Sequence, residues 1–429
     1  MRNTLAFTNQ YVETAGRSNS NNKRLSVIEL LFFTVLVLYY LLPSFNVSIS
    51  FLVVLLACVG YTALLCVLDS KKMEFYILLF GMSIVISVMY YFLTDTSTIN
   101  AGVSNYALKR LISKFQQVFM SFFPLLIFYR MATRASKKQK IFLLLVMVGV
   151  FFYVLINTTI ELAVNENATR SWGEFDEQSE KNVGTYAYVY AVPIILSFLP
   201  YLSSTVRGKN SGYRILIIAI EVFLFGFLLF AQYTLALLIS IIVLTMQILS
   251  NIKDGTNKVL LWGAVLLSLL LLPTILSFLA TNVPSKQMAT RLREIASFFS
   301  TGNANSDNLG GRLDLYWGTI KAFFRSPILG NRRLAFDGHS TFLTVPADIG
   351  IMGGACFISI YALAKKSIGE IFTKNQALIF KPAFFGLILM GLTNPIHSAD
   401  PLAATVWLFV PLMIIVFGEK KENETSLGD

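Results

Sequence analysis

Residues 141–162 read IFLLLVMVGVFFYVLINTTIEL, a run of 22 residues whose single charge, Glu161, stands one place from its end. As a helix, such a run spans about 33 Å, enough to cross the roughly 30 Å hydrocarbon layer of a bilayer. Eleven comparable runs surround it. The twelve expected spans are 25–42, 47–68, 74–93, 115–131, 141–162, 183–202, 213–230, 233–249, 258–280, 343–363, 378–396 and 400–417. The stretch 213–249 is too long for one crossing and divides near Ala231-Gln232-Tyr233-Thr234. Runs of this length predict helices rather than the roughly 10-residue alternating strands of a barrel. The fold class is therefore all-α, a polytopic helical membrane protein.

Composition agrees. Hydrophobic residues make up 55% of the 429 and charged residues only 14%, with a mean hydropathy of +0.64. Soluble domains carry about 25% charged residues, so a cytosolic enzyme, a disulfide scaffold and a disordered chain are all excluded. Cys58, Cys66 and Cys356 sit inside apolar runs and read as small hydrophobes. The net charge of +11 belongs to loops, where membrane proteins collect Lys and Arg, so no nucleic-acid partner is implied.

Charge placement sets the expected orientation. With the N-terminus cytoplasmic, 22 of the 35 Lys and Arg lie in inner segments and 13 in outer ones. Eight of those 13 fall in one segment, 281–339, whose length of 59 residues weakens the positive-inside rule. Both termini are expected inside. The expected organisation is a tail (1–24), spans one to nine (25–280), a large outer loop (281–342), spans ten to twelve (343–417) and a second tail (418–429).

The outer loop is the anomaly. Lys286, Arg291, Arg293, Arg312, Lys321, Arg325, Arg332 and Arg333 face only Glu294, Asp307, Asp314 and Asp337. Residues 286–300 and 311–324 carry helical spacing, with Leu313, Trp317, Ile320 and Phe324 on one face of the second. Arg291 and Arg293 fall on opposite sides of the first helix. Such helices suit the outer membrane surface, with their basic groups beside lipid phosphates. The other sizeable outer segment, 163–182, is acidic: Arg170 and Lys181 stand against five Asp and Glu.

Three pieces then follow in order: Gly310-Gly311-Arg312-Leu313-Asp314-Leu315-Tyr316-Trp317, Phe324-Arg325-Ser326-Pro327-Ile328-Leu329-Gly330, and Gly338-His339-Ser340-Thr341-Phe342-Leu343 leading to Asp348-Ile349-Gly350. Together with the span pattern, they resemble the O-antigen polymerase and ligase superfamily. The resemblance implies a metal-independent glycosyltransferase without a cofactor, acting on the outer face of the bacterial cytoplasmic (inner) membrane. Its substrates would be undecaprenyl-diphosphate-linked glycans, reached through membrane lipids, with a chain-length regulator protein as a partner. The His-Ser wording leans toward the polymerase; a ligase, which transfers the polymer to lipid A–core, is the alternative. Ligases carry an Arg just after the break near residue 234, whereas Gln232-Tyr233-Thr234-Leu235-Ala236 has none.

The chemistry fits these residues. A sugar hydroxyl must lose a proton as it attacks an anomeric carbon, and His339 is the natural base because imidazole titrates near neutrality. Without a metal, the leaving diphosphate needs cations, and the planar fork of Arg suits phosphate oxygens. Arg312 comes first, then Arg291, with Arg332 and Arg333 behind. Asp314 and Asp348 are the nearby carboxylates for substrate binding. Plainer readings stand beside these. His339 is also a helix-cap neighbour, Arg312 a lipid anchor, and the Arg332–Arg333 pair a solvated basic patch. Glu221, in mid-span, is either functional or a polar partner within the bundle. A lipid-linked oligosaccharide flippase would also have many spans, but no internal repeat is visible.

Overall fold

The computed structural model describes residues 25–69, 73–93, 103–170, 179–206, 211–251, 263, 270–271, 273–283, 286–301, 309–331, 340–396 and 399–418. Among these residues every regular element is a helix. In chain order they are α1 (Val27–Leu41), α2 (Pro43–Ser48), α3 (Phe51–Leu68), α4 (Met73–Leu93), α5 (Val103–Arg134), α6 (Lys137–Val164), α7 (Tyr186–Leu196), α8 (Leu199–Val206), α9 (Ser211–Ala231), α10 (Thr234–Asn251), α11 (Lys286–Thr301), α12 (Leu309–Arg325), α13 (Thr341–Ile371), α14 (Lys374–Thr393) and α15 (Asp400–Gly418).

Eight helical stretches are long and apolar enough to cross a membrane: α3, Leu111–Arg134 of α5, α6, Tyr186–Thr205 across α7 and α8, α9, α13, α14 and α15. Shorter apolar helices lie at Val27–Leu41, Glu74–Tyr90 and Leu235–Ser250. The chain is a helical membrane protein. Peripheral helices show why: Leu56 and Val67 of α3, and Ile215 and Val222 of α9, are exposed, and apolar surface on that scale is stable in lipid rather than water.

Several boundaries differ from the sequence reading. The fourth span, expected at 115–131, is part of a helix that begins at Val103. The sixth is two helices meeting at Ser197-Phe198, where Pro200 has no N–H to bond the Leu196 carbonyl four residues back; Ser197 N–H to the Pro193 carbonyl at 3.1 Å closes the first of them. The ninth, expected at 258–280, lies only partly within the described residues. The division of 213–249 falls where expected, with Gln232 in the left-handed region at φ 57° between α9 and α10.

Local signals set the helix starts. Ser26 accepts from Glu29 N–H, and Ser136 with Gln139 and Thr373 with Gln376 form capping boxes. At the centre Trp407 of α15 is fully buried, 5.5 Å from the Phe122 ring of α5, 6.1 Å from Tyr361 of α13 and 6.2 Å from Phe384 of α14, centroid to centroid. These aromatic contacts join four helices around one axis.

The bundle has two polar ends. Leu25 N–H reaches the Arg134 carbonyl, and Gln139 Nε2 reaches the Leu25 carbonyl, so the starts of α1 and α6 share one end with the finish of α5. From there α6 runs 28 residues, about 42 Å, to a second end. There Gly184 N–H donates to Thr158, and Ser44 N–H to Asn182.

Candidate functional site

The second end carries the site, and it begins with an interlock. Helix α13 contains Pro346 and breaks at Gly350, whose φ is 70° and ψ −175°. In an unbroken helix Ile351 N–H would bond the Ala347 carbonyl, four residues back. Here the turn after α12 takes both groups. Ile351 N–H donates to the Pro327 carbonyl at 2.7 Å, and the Ala347 carbonyl accepts from Asn331 N–H at 2.8 Å. Asn331 Nδ2 adds a bond to the Ala322 carbonyl at 2.5 Å. Irregular backbone inside a membrane protein persists only when its polar groups are satisfied internally, and this turn satisfies them. The fit demands glycine on both sides. Gly330 has φ 75°, and a Cβ there would stand 2.2 Å from the Asp348 carbonyl oxygen; a Cβ at Gly350 would stand 2.0 Å from that of Ile328. The Ser-Pro-Ile-Leu-Gly and Asp-Ile-Gly pieces of the sequence are thus two halves of one joint.

The joint fixes the chain at Asn331. Nine residues on, Ser340 fixes it again. Its hydroxyl accepts from Leu343 N–H at 3.2 Å, capping α13, and donates to the Gly391 carbonyl at 3.2 Å. Thr341 N–H donates to the Asn394 carbonyl at 3.2 Å, and Thr341 Oγ1 accepts from Ile396 N–H at 2.8 Å. Tyr190 of α7 donates to Asn394 Oδ1 at 2.5 Å, and Tyr316 of α12 to the Thr393 carbonyl at 2.7 Å. A floor of hydroxyl, amide and backbone groups therefore surrounds Ser340 and Thr341, built from α7, α12, α13 and the turn after α14.

The nominated residues distribute as follows. Arg332, Arg333 and His339 lie outside the described residues, between the two anchors. Positions 291 and 312 lie on α11 and α12, and 312 is one turn before Tyr316; their side chains lie outside what is described. Asp314 is exposed on α12. Asp348 is buried within the bundle, where Tyr90 of α4 donates to its Oδ2 at 3.3 Å and Lys114 Nζ of α5 stands 4.8 Å from the Tyr90 ring. The structure separates these two carboxylates by environment, one in a packed polar group and one on an open helix. The apolar face of α12 is also open: Leu313, Trp317 and Phe324 are exposed, while Thr319 and Ala322 are buried. Glu221 is half-buried on α9, with no side-chain hydrogen bond or ion pair among the described residues.

Sequence reasoning missed a cation. Arg170, in the segment following α6, places its guanidinium 4.5 Å from the Tyr233 ring centroid and donates from Nη2 to the Gln232 carbonyl at 2.6 Å. Tyr233 meets the Tyr190 ring edge-on at 5.7 Å, which joins Arg170 to the Asn394 floor. Nothing local in the sequence signals this, because the contact spans 62 residues. Tyr190, Tyr316 and Asn394 were missed for the same reason. No protein-family model matches the chain, and no curated protein matches it.

Proposed function

We propose that this chain is a surface-polysaccharide polymerase of the bacterial inner membrane, with twelve spans, both termini cytoplasmic and the 281–342 loop on the outer face. The observation that carries this reading is the polar floor at Ser340, Thr341 and Asn394, which anchors the residue directly after His339 beside the helix that bears position 312. The resemblance carried by the loop motifs supplies the reaction class. The exposed apolar stripe of α12 suits a loop that meets its substrate at the bilayer surface.

In this reading a hydroxyl of one lipid-linked repeat unit attacks the anomeric carbon of the chain borne on another. His339 takes the hydroxyl proton as the new glycosidic C–O bond forms. The old bond to the diphosphate oxygen breaks, and its electron pair leaves with the polyprenyl diphosphate. Arg312 holds the charge that develops there, a role in which one preorganised donor contributes about 3–4 kcal/mol. Arg291, Arg332, Arg333, Asp314 and Asp348 serve substrate binding. Direct displacement inverts the anomeric centre.

The test is the glycan made by a strain carrying His339→Ala. Chain extension is expected to fall by about 10²- to 10⁴-fold at normal membrane levels of the protein, leaving single repeat units on the acceptor. Long chains at wild-type density would remove His339 as the base. Unattached long chains in a deletion strain would indicate the ligase instead. Labelling that placed residues 281–339 in the cytosol would end the reading altogether.

A further inference from the structure

We infer that the half of the bundle away from the Asn394 floor holds a buried water site, built by Gln247 of α10 and by two backbone carbonyls that prolines leave without a helical donor. The inference does not rest on the polymerase reading.

Side-chain packing sets the place. At the floor, Tyr190 of α7 meets Tyr233, just before α10, and bonds Asn394, just after α14. Farther into the bundle, Gly386 of α14 faces both other helices. A Cβ on it would stand 3.2 Å from Ile194 Cδ1 of α7, and 2.9 Å from Val243 Cγ1 and 3.8 Å from Ile239 Cγ2 of α10. Residue numbers therefore rise away from the floor in α7 and α10 and fall in α14. One turn past Gly386, the three helices bring Gln247, the Ser197-Phe198 break and Pro382 to one level. Four residues turn a helix by about 400°, so Gln247 points within about 40° of Val243, toward α7 and α14.

Three polar groups at this level lack their usual partners. Gln247 is fully buried, and neither its Nε2 nor its Oε1 has a hydrogen bond among the described residues. In α7 the donor to the Leu196 carbonyl would be residue 200, which is Pro200 and has no N–H. The bonds that close the end of α7 go to other carbonyls: Ser197 N–H to Pro193, Phe198 N–H to Ile195 at 3.0 Å, and Ser197 Oγ to Ile194 at 2.6 Å. In α14 the donor to the Leu378 carbonyl would be residue 382, which is the buried Pro382.

A bare amide and bare carbonyls gathered inside a membrane protein are costly, and such backbone persists where it is satisfied internally or by water. The Gln247 amide has two N–H donors and one acceptor oxygen, and a bond from it to one carbonyl would leave the rest unmet. Water answers all three groups. It accepts from Gln247 Nε2 and donates to a carbonyl and to Oε1 or the second carbonyl, the about three bonds that a buried water makes. The site sits at the break of α7 and α8 and beside α14, and the far ends of α7 and α14 hold the floor at Tyr190 and Asn394.

The experiment is X-ray hydroxyl-radical footprinting of the purified full-length protein, in which radicals made from bound water mark the side chains beside it. Phe198 and Phe128 are both fully buried, and only Phe198 lies at the Gln247 level. Phe198 is expected to be modified several-fold faster than Phe128 in the wild type, and at the Phe128 rate in Gln247→Leu. Equal rates for the two rings in the wild type would overturn the inference. Fast modification of Phe198 persisting in Gln247→Leu would overturn it too, since Gln247 would not be what holds the water. Thermal unfolding gives an independent sign. Gln247→Leu is expected to melt lower, because the carbonyls lose their bridged partner. An equal or higher melting temperature would overturn the inference, because removing a dry, unbonded amide relieves a cost. If Gln247→Leu does not fold, the wild-type comparison of Phe198 with Phe128 decides.

Discussion

Arg130 and Arg170 stand at opposite ends of the same bundle and are held in opposite ways. Arg130, at the end shared by α1, α3 and α5, lies among acids. Its Nε and Nη2 each reach Glu29 Oε1 at 2.9 Å, and Nη1 lies 3.9 Å from Asp69, with all three side chains nearly buried. Tyr61 also donates to Glu29. Arg170 rests on a carbonyl and a ring. The first charge is neutralised within the fold and ties three helices together. The second is met, among the described residues, by neutral groups. One residue type thus stands in two settings, and the partners distinguish an ion-paired lock from a guanidinium laid on a ring.

The largest expected effect breaks the lock. Glu29→Ala leaves Arg130 buried with only the more distant Asp69, and removing one partner of a buried pair costs about 3–5 kcal/mol. Thermal unfolding of the purified protein should show that loss. A cost below about 1 kcal/mol would place Arg130 in the same class as Arg170 and dissolve the contrast.

Next comes the joint that sets up the second end. Gly350→Ala introduces a Cβ 2.0 Å from the Ile328 carbonyl oxygen at a positive φ, for an expected cost of about 2–3 kcal/mol. Hydrogen exchange should accelerate at Ile351, whose N–H depends on Pro327. Protection of Ile351 at the wild-type level would show that the turn is not what closes the break.

The smallest effect concerns the floor itself. Tyr316→Phe removes the bond to the Thr393 carbonyl and should cost about 1 kcal/mol, with faster exchange confined to α12. A loss spread over the whole bundle would show that α12 is part of the core rather than a helix fastened to it by its polar face.

Much of the framework was legible because its signals are local. The run 141–162 announced α6 by length and apolar content alone, the Gln232–Tyr233 break showed in an apolar stretch too long for one crossing, and α11 and α12 were readable from their spacing. The interlock was half legible. Ser326–Gly330 and Asp348–Gly350 were noticed as motifs, but not as partners, because nothing in either stretch states which carbonyl its neighbour's N–H will reach. The 163–182 segment misled for a related reason. Counting its charges marked it as acidic, and that sum concealed Arg170, which lies on the Tyr233 ring beside Tyr190.

The amino-acid sequence by itself determined that this is a helical membrane protein, where many of its helices begin, and which loop concentrates cations. Each of these follows from quantities summed over neighbouring residues: apolar length, caps and charge. Only the tertiary structure decided that Arg130 pairs with Glu29 while Arg170 rests on the Gln232 carbonyl and the Tyr233 ring, and that one turn closes a broken helix. Those outcomes depend on the register and rotation of helices far apart in the chain, where a shift of a single residue turns a side chain by about 100° and changes what it meets.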